Sequence, residues 1–266
     1  MGATTAIAWT DHTFNPWWGC SRVSPGCQHC YAETFAKRTG HDVWGNTAER
    51  RFFGDQHWLE PLKWNAAAEA AGRPALVFCA SMADVFEDRP DVAGERERLW
   101  SLVTRTPHLI WQLLTKRPEN VAEMVPVSWS GWTHLGIDNR PPEWPPNVWI
   151  GTTVEDQQRA DERVPVLLDL PAPVRFLSAE PLLGPIKLRP EWWAEIGWII
   201  IGGESGPGHR PLVEEHALEL AVRALAFDVP LFFKQHGGRT PTAGGCLLDL
   251  GTGPAEWKDF PAAAGR

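Results

Sequence analysis

Residues 197–206 read GWIIIGGESG, an apolar, β-branched run that ends abruptly in glycines and polar residues. Their hydrophobicity is continuous rather than alternating, which is typical of a strand buried on both faces. Comparable runs recur along the chain, at 75–84, 108–119, 147–156, 174–184 and 229–238. Together the runs predict a parallel sheet covered by helices.

Segments with helical periodicity separate several of the runs. They occupy residues 91–106, 155–170 and 213–228. The spacing from strand to strand is roughly 25 to 40 residues, as in successive β/α units. With a further strand expected between Trp9 and Trp18, the sequence predicts an α/β fold, a full or partial parallel (β/α) barrel of about six or seven units.

Length and composition favour one globular domain. The 266 residues include 43% hydrophobic and 22% charged residues, close to the average for a globular protein. A single barrel domain over 1–266 is expected, with a Pro- and Trp-rich excursion near 126–147. No apolar run approaches the ~20 residues that cross a bilayer, and the start lacks the features of a signal peptide. We therefore expect a cytoplasmic protein without a membrane partner.

The charge balance limits how the protein could bind nucleic acid. A net charge of -8 argues against binding by charge alone, because that mode needs a basic surface, although a local basic groove is compatible with it. The 16 tryptophans serve mainly in packing, and some could stack planar ligands such as bases. The five cysteines are too few and too unevenly spaced for a disulfide framework.

Three of the cysteines, Cys20, Cys27 and Cys30, fall within one loop, CSRVSPGCQHC. A C-x-x-C pair can turn two sulfurs toward one metal, and Pro25 and Gly26 allow the loop to curl so that the third sulfur can join them. Three clustered thiolates predict a metal centre.

The identity of the metal depends on whether a fourth protein ligand exists. This loop contains no fourth cysteine to close a tetrahedral zinc site, although His29, Cys79 or Cys246 could complete one. Two hypotheses follow. One is an open metal centre that performs chemistry, and the other is a structural zinc site in a non-enzymatic module that binds nucleic acid or protein.

The cysteine loop resembles that of the radical S-adenosylmethionine enzymes, where it follows the first strand of a partial β/α barrel. The common family spacing is C-x-x-x-C-x-x-C with an aromatic residue before the last cysteine; here the first gap is longer and His29 takes the aromatic position. The chain is also similar, over nearly its whole length, to an uncharacterised phage-encoded family that is grouped loosely with spore photoproduct lyase. The segments that carry this resemblance are TDHTFNPWWGC, LLTKRPE, SAEPLLG and IIIGGESG.

The resemblance implies both cofactors and partners. Cys20, Cys27 and Cys30 would hold a [4Fe–4S] cluster, and S-adenosylmethionine would bind its fourth iron and yield a 5′-deoxyadenosyl radical on cleavage. Such an enzyme needs an electron donor of the flavodoxin or ferredoxin type. The substrate is unknown; a nucleic-acid base, in DNA repair or modification, is the expected class.

Polar residues end the predicted strands, and in β/α barrels the carboxyl ends of the strands form the site. Ser81 and Asp84 end one run, where the resembled family holds the methionine amino group, although Asp84 could instead cap a helix. Thr115, Lys116 and Arg117 end the next run, and cations there could hold a carboxylate or a phosphate.

Later strand ends supply the remaining candidates. Glu155, Glu180 and Glu204 would repel one another unless cations or ligand hydroxyls lay between them; Lys234 and His236 after the last run could supply such charge. The candidate cofactor-binding residues at these strand ends are Thr153, Glu155, Ser178, Glu180, Gly202 and Gly203.

The candidate catalytic residues are Cys79, Lys116 and Glu204. Cys79 lies inside a strand run, where a cysteine is usually a buried small apolar residue, but a thiol close to the substrate could donate a hydrogen atom. Lys116 and Glu204 are expected to bring charge to the mouth of the barrel.

Overall fold

The computed structural model describes residues 5–130, 132–133, 136–137, 143–240 and 242–265. Its seven main strands are all parallel, and their order in the sheet follows their order in the chain. The sheet curls into a half-barrel, so the predicted barrel is a partial one. The strands are β1 (His12–Thr13), β2 (Ala75–Cys79), β3 (Leu109–Thr115), β4 (Val148–Thr153), β5 (Arg175–Ala179), β6 (Trp198–Gly202) and β7 (Leu231–Gln235).

Helices cover the convex face of the sheet. The helices predicted at 91–106, 155–170 and 213–228 are confirmed with ends about two residues shorter, a normal uncertainty for helix boundaries. The longer helices are α1 (Tyr31–Arg38), α2 (Glu60–Ala71), α3 (Ala93–Thr104), α4 (Gln157–Leu168) and α5 (Glu214–Ala226), and the shorter helical turns are Pro25–Cys27, Asp55–Trp58, Pro90–Val92, Pro118–Asn120, Val121–Met124, Val127–Ser130, Pro190–Trp193 and Ala262–Ala264.

Three small antiparallel strand pairs lie outside the main sheet of the described residues. Trp17–Trp18 pairs antiparallel with Arg51–Phe52, and Leu247–Asp249 pairs with Pro254–Glu256. Trp132–Thr133 pairs with Gly136–Ile137 inside the predicted excursion. Residues 131, 134–135 and 138–142 of that excursion lie outside the described residues.

The two ends of the excursion are fixed to the core by tryptophans. Trp129 lies 5.4 Å from Trp100 of α3 and 6.0 Å from Trp144, measured between ring centroids. All three indoles are buried. The described parts of the excursion therefore pack against the domain.

The concave side of the sheet is filled at its lower end by indole and phenyl rings. Trp198 is fully buried, and its ring centroid lies 6.1 Å from Trp9, 6.2 Å from Trp149 and 6.2 Å from Phe232. Its Nε1 donates to the carbonyl of Asp259, 2.8 Å away, in the segment that follows the last hairpin. These rings form an apolar floor, and each buried aromatic side chain removes about 150–250 Å² from water.

Gly151 shows how tightly the floor is packed. A Cβ at this position would lie 2.4 Å from the ring of Phe176 on the neighbouring strand. A glycine in the middle of β4 is therefore required by the adjacent ring, and it lets Phe176 point into the barrel.

We predict that Gly151→Ala destabilises the protein by about 1–3 kcal/mol, because the added methyl overpacks the floor. Urea unfolding followed by tryptophan fluorescence measures the change. Gly94→Ala is the control, since a Cβ at this helical position of α3 meets nothing within 4 Å and should stabilise by about 0.5–1 kcal/mol. Equal stability of Gly151→Ala and the parent protein would contradict this packing.

Candidate active site at the mouth of the half-barrel

The upper half of the barrel contains a cavity of about 350 Å³ between the strand ends and the cysteine loop. Its deep part is apolar, with Trp9, Phe78 and Leu114, and its mouth is polar. The structure thus brings together strand-end residues that are far apart in the sequence. Those predicted residues that line it are Cys20, Cys27, His29, Cys30, Ser81, Asp84, Thr115, Lys116, Arg117, Thr153, Ser178, Glu180, Gly203, Glu204 and Lys234.

The cysteine loop lies across the mouth of the barrel. Cys27 ends the helical turn Pro25–Cys27, and Cys30 immediately precedes α1. Cys20, Cys27 and Cys30 are free, partly buried thiols that all line the cavity. Among the described residues, no group of three or more His, Cys, Asp or Glu side chains is gathered around one point as a single metal ion requires.

Asp84 and Arg117 connect the first cysteine to the strand ends. Arg117 Nη1 donates to Asp84 Oδ2 at 2.8 Å and lies 3.7 Å from Cys20 Sγ, while its Nη2 donates to the carbonyl of Ser21 at 2.9 Å. The remaining acceptor positions of Asp84 are filled by Thr115 Oγ1 at 2.7 Å and by backbone N–H groups, including that of Lys116. Both carboxylate oxygens of Asp84 are therefore occupied, but Asp84 precedes a turn at 85–86 rather than a helix, so the alternative role as a helix cap is wrong. Its predicted contact with a methionine ammonium is untested.

A second buried pair supports the same turn. Arg50 Nη2 donates to Glu87 Oε1 at 2.8 Å and to Ser21 Oγ at 3.1 Å. Its Nη1 donates to the carbonyls of Val43, 2.9 Å away, and Ala48, 2.9 Å away. Removing either charge would leave the other buried and unpaired, which costs about 3–5 kcal/mol.

Glu155 anchors the middle of the loop. It is fully buried, and it accepts hydrogen bonds from Arg163 Nη1 at 2.8 Å and from the backbone N–H of Gly26 at 3.2 Å. Burial opposes ionisation, yet Arg163 and the other donors hold the pKa of Glu155 below its usual range. Glu155 does not line the cavity, so this carboxylate stabilises the loop rather than facing a ligand.

Glu204 and Arg210 anchor the loop from its other side. Arg210 Nε donates to Glu204 Oε2 at 2.9 Å, and its Nη2 donates to the carbonyl of Pro25 at 3.1 Å. Although burial raises it, the pKa of Glu204 is lowered overall by the hydrogen bonds from Arg210. Glu155 and Glu204 therefore stabilise the fold above their unfolded pKa values, and this contribution is lost as the pH falls through their folded pKa values.

Three other charged residues at strand ends, Lys116, Glu180 and Lys234, line the cavity. Lys234 pairs with Glu180, which confirms that Lys234 brings positive charge to one of the three carboxylates. Lys116 Nζ donates to Thr153 Oγ1 at 3.2 Å, and no carboxylate among the described residues forms an ion pair with it. Lys116 is therefore the cavity cation best placed to receive an anionic group.

Expectations about three individual residues are modified by the structure. Cys79 is fully buried in the core on the convex side of β2, and burial raises the pKa of its thiol; this favours the apolar packing role over hydrogen donation. His236 Nε2 lies 2.7 Å from the carbonyl of Leu247, away from the cavity. Cys246 Sγ donates to Glu256 Oε1 at 3.3 Å within the last hairpin.

The glycines at the end of β6 have a structural role as well. A Cβ at Gly203 would lie 2.1 Å from the carbonyl oxygen of His236, and one at Gly202 would lie 3.4 Å from Glu180. The absence of a side chain at Gly203 thus lets the backbones after β6 and β7 approach each other. Gly203 also lines the cavity, and the close approach of a ligand to these glycines stays a prediction.

Burial sets the ionisation of the loop thiols. Desolvation and the carboxylates of Asp84 and Glu87 raise the pKa of Cys20 to about 12, although Arg117 opposes the shift. Desolvation also raises the pKa of Cys30. Both thiols are consequently protonated at neutral pH until a bound cation displaces the protons.

Sequence reasoning missed several residues of this site. Arg163 and Arg210 hold the two loop-anchoring carboxylates, and Tyr31 lies at the cavity mouth with its hydroxyl donating to the carbonyl of Ser81 at 3.1 Å. The only available signal was for Tyr31, which is the single tyrosine of the chain and directly follows Cys30. Nothing in the local sequence distinguishes the two arginines from solvent-exposed ones.

No curated protein matches the chain. In three dimensions the chain is similar to a cysteine-to-serine variant of spore photoproduct lyase, with 11% sequence identity, a TM-score of 0.48 and coverage of 77% of this chain and 59% of that one.

A double variant of spore photoproduct lyase with bound AdoMet and dinucleoside spore photoproduct gives 9% identity and a TM-score of 0.48, over 76% of this chain and 58% of the other. The chain thus spans less than two thirds of the lyase chains. Within the described residues no helix has the length and apolar character needed to cross a membrane. A family model matches residues 4–261, and the chain therefore belongs to the family described as "Protein of unknown function (DUF5131)".

Proposed function

We propose that this protein is a radical S-adenosylmethionine enzyme whose [4Fe–4S] cluster is held by Cys20, Cys27 and Cys30. One observation carries the proposal: three free thiols of a loop that follows the first strand all line a cavity at the carboxyl ends of a parallel half-barrel. That end of a β/α barrel is where catalytic groups collect.

The donor set of the loop suits a cluster. Its three cysteines would leave one iron of a [4Fe–4S] cluster open to a further ligand, whereas a structural zinc site needs four protein ligands at about 2.0–2.3 Å. The non-enzymatic zinc module receives no support from this arrangement.

The chain's own residues would provide binding and orientation. When bound, the cluster would supply the electron that cleaves S-adenosylmethionine. Lys116 is placed to hold a carboxylate, while Ser178 and the Glu180–Lys234 pair offer hydrogen-bonding groups deeper in the cavity. The apolar floor with Trp9 and Phe78 excludes water from that region, which protects reactive intermediates.

The proposed function also requires an electron donor and a substrate. We expect an electron donor of the flavodoxin or ferredoxin type, since one electron must reach the cluster for each cleavage. A nucleic-acid base is the expected substrate class, in repair or modification. The cavity of about 350 Å³ falls within the range of small-molecule sites.

Anaerobic reconstitution with iron and sulfide tests the proposal directly. The reconstituted protein should be brown and, with dithionite and S-adenosylmethionine, should form 5′-deoxyadenosine. Single replacement of Cys20, Cys27 or Cys30 by Ala should remove most of the iron and abolish this product, because thiolates hold such clusters. Cys79→Ala and Cys246→Ala are the matched controls and should retain iron. Full iron content in a variant that lacks all three loop cysteines would overturn the proposal.

The raised thiol pKa values predict that cluster retention depends on pH. Because Cys20 and Cys30 must lose protons to bind iron, protons compete with the metal, and retention falls as the pH is lowered. We expect the apparent affinity to drop by up to about tenfold per pH unit for each proton that is taken up. Iron released to a chelator between pH 6 and pH 9 measures this, and equal release throughout would show that the thiols carry no such proton.

Lys116 provides a separate test of the cofactor pocket. We predict that Lys116→Met weakens S-adenosylmethionine binding about tenfold or more, because a charge-assisted hydrogen bond contributes about 1.5–3 kcal/mol. Equilibrium dialysis of the reconstituted protein gives the affinity. Lys187→Met, at an exposed position outside the cavity, is the charge-matched control. Unchanged affinity in Lys116→Met would assign the cofactor's carboxylate to another group.

A further inference from the structure

One face of α1 presents aromatic and cationic side chains that begin at the cavity. Tyr31, Phe35 and Arg38 are spaced by four and three residues, which places them along a single stripe of the helix. Tyr31 lines the cavity mouth and is 52% exposed. The stripe therefore leads from the cavity out to the surface.

The hairpin beside α1 continues this stripe. Arg51 stacks over two rings, with its guanidinium carbon 4.5 Å from the centroid of Trp18 and 4.9 Å from that of Phe53. Trp18 lies 5.8 Å from Phe35, between ring centroids, and so joins the hairpin to the helix. Arg38 in turn lies over Phe35, 5.5 Å from its centroid. We call Tyr31, Phe35, Arg38, Arg51 and Phe53 the α1 track.

The two guanidinium groups of the track have no anionic partner. Among the residues that the structure describes, neither Arg38 nor Arg51 forms a hydrogen bond or ion pair through its side chain. By contrast, Arg22, Arg89 and Arg98 each pair with a carboxylate. An arginine held flat on a ring keeps the N–H groups of its edge available, which is the geometry that binds phosphate.

The nearest helix carboxylate does not cancel this charge. Glu33 of α1 is already paired with Arg22 at 2.7 Å and with Lys37 at 2.8 Å. Arg38 and Arg51 are therefore unpaired cations on a chain whose net charge is -8. Aromatic rings alternating with unpaired guanidinium groups suit a ligand that alternates planar bases with phosphates.

We propose that the α1 track binds single-stranded nucleic acid and leads one of its bases to the cavity. This inference rests on the proposed function and deepens it by naming the surface that binds the substrate and the single-stranded form of that substrate. In this arrangement Arg38 and Arg51 bind phosphates, Phe35 provides a stacking surface, and Tyr31 meets the base that enters the cavity. Phe53, which packs against His57 at 4.3 Å between ring centroids, holds Arg51 in place. Since the net charge of the chain is -8, affinity depends on these few contacts.

Fluorescence anisotropy with labelled oligonucleotides of about 12 nucleotides tests the track in the full-length, reconstituted protein. Single-stranded DNA and RNA should bind more tightly than duplex DNA. The double variant Arg38→Gln/Arg51→Gln should weaken single-strand binding about tenfold and reduce the salt-dependence slope by about one for each arginine removed. Phe35→Leu, which keeps an apolar side chain but removes the ring, should weaken binding without changing that slope.

The control removes the same charge elsewhere. Arg105→Gln/Arg223→Gln replaces two exposed arginines outside the track and should change binding less than twofold. Equal weakening by both double variants would reduce the effect to net charge and overturn the inference, as would absence of single-strand binding in the parent protein. Circular dichroism of each variant checks that the fold is retained.

The outcomes separate this inference from the proposed function. If the protein forms 5′-deoxyadenosine but does not bind nucleic acid, the proposed role of the α1 track is wrong and the proposed radical chemistry stands. If it binds single strands through Arg38 and Arg51 but holds no iron, the role of the α1 track stands and the proposed radical chemistry is wrong.

Discussion

Buried guanidinium–carboxylate pairs hold the cysteine loop at the mouth of the half-barrel. Asp84 with Arg117 fixes the turn after Cys20, and Glu155 with Arg163 binds the middle of the loop through its backbone. The loop contains few bulky apolar groups, so packing alone would not hold it. Because loss of one partner leaves a buried charge unpaired, these pairs impose one geometry on the thiols.

The pairs also divide the strand-end charges into two kinds. The carboxylates of Asp84, Glu155 and Glu204 are engaged by arginines, and Asp84 and Glu204 also line the cavity. Lys116 and the Glu180–Lys234 pair line the cavity without an arginine partner. The arrangement resolves the repulsion expected among neighbouring carboxylates without any ligand. It leaves a small set of polar groups for recognition above an apolar floor.

Elements with strong local signals were predictable. Each apolar run became a strand of the parallel sheet, and the periodic segments became α3, α4 and α5. The segment between the cysteine loop and β2 was not anticipated, although it contains α1, α2 and half of a hairpin. Its hydrophobic pattern is short and irregular because its rings pack on one another, as in the contacts around Trp18. Such pairs have no fixed spacing in the sequence.

The sequence by itself determined the strands, the three-cysteine loop and the placement of polar residues after the strands, since these follow from hydrophobic periodicity and local spacing. Only the tertiary structure decided which of those polar residues face the cavity and which are paired. Arg117 lies 97 residues from Cys20, and Arg210 lies 185 residues from Pro25. Contacts over such separations arise from the crossover connections that bring successive strand ends to one rim, and no local pattern encodes them.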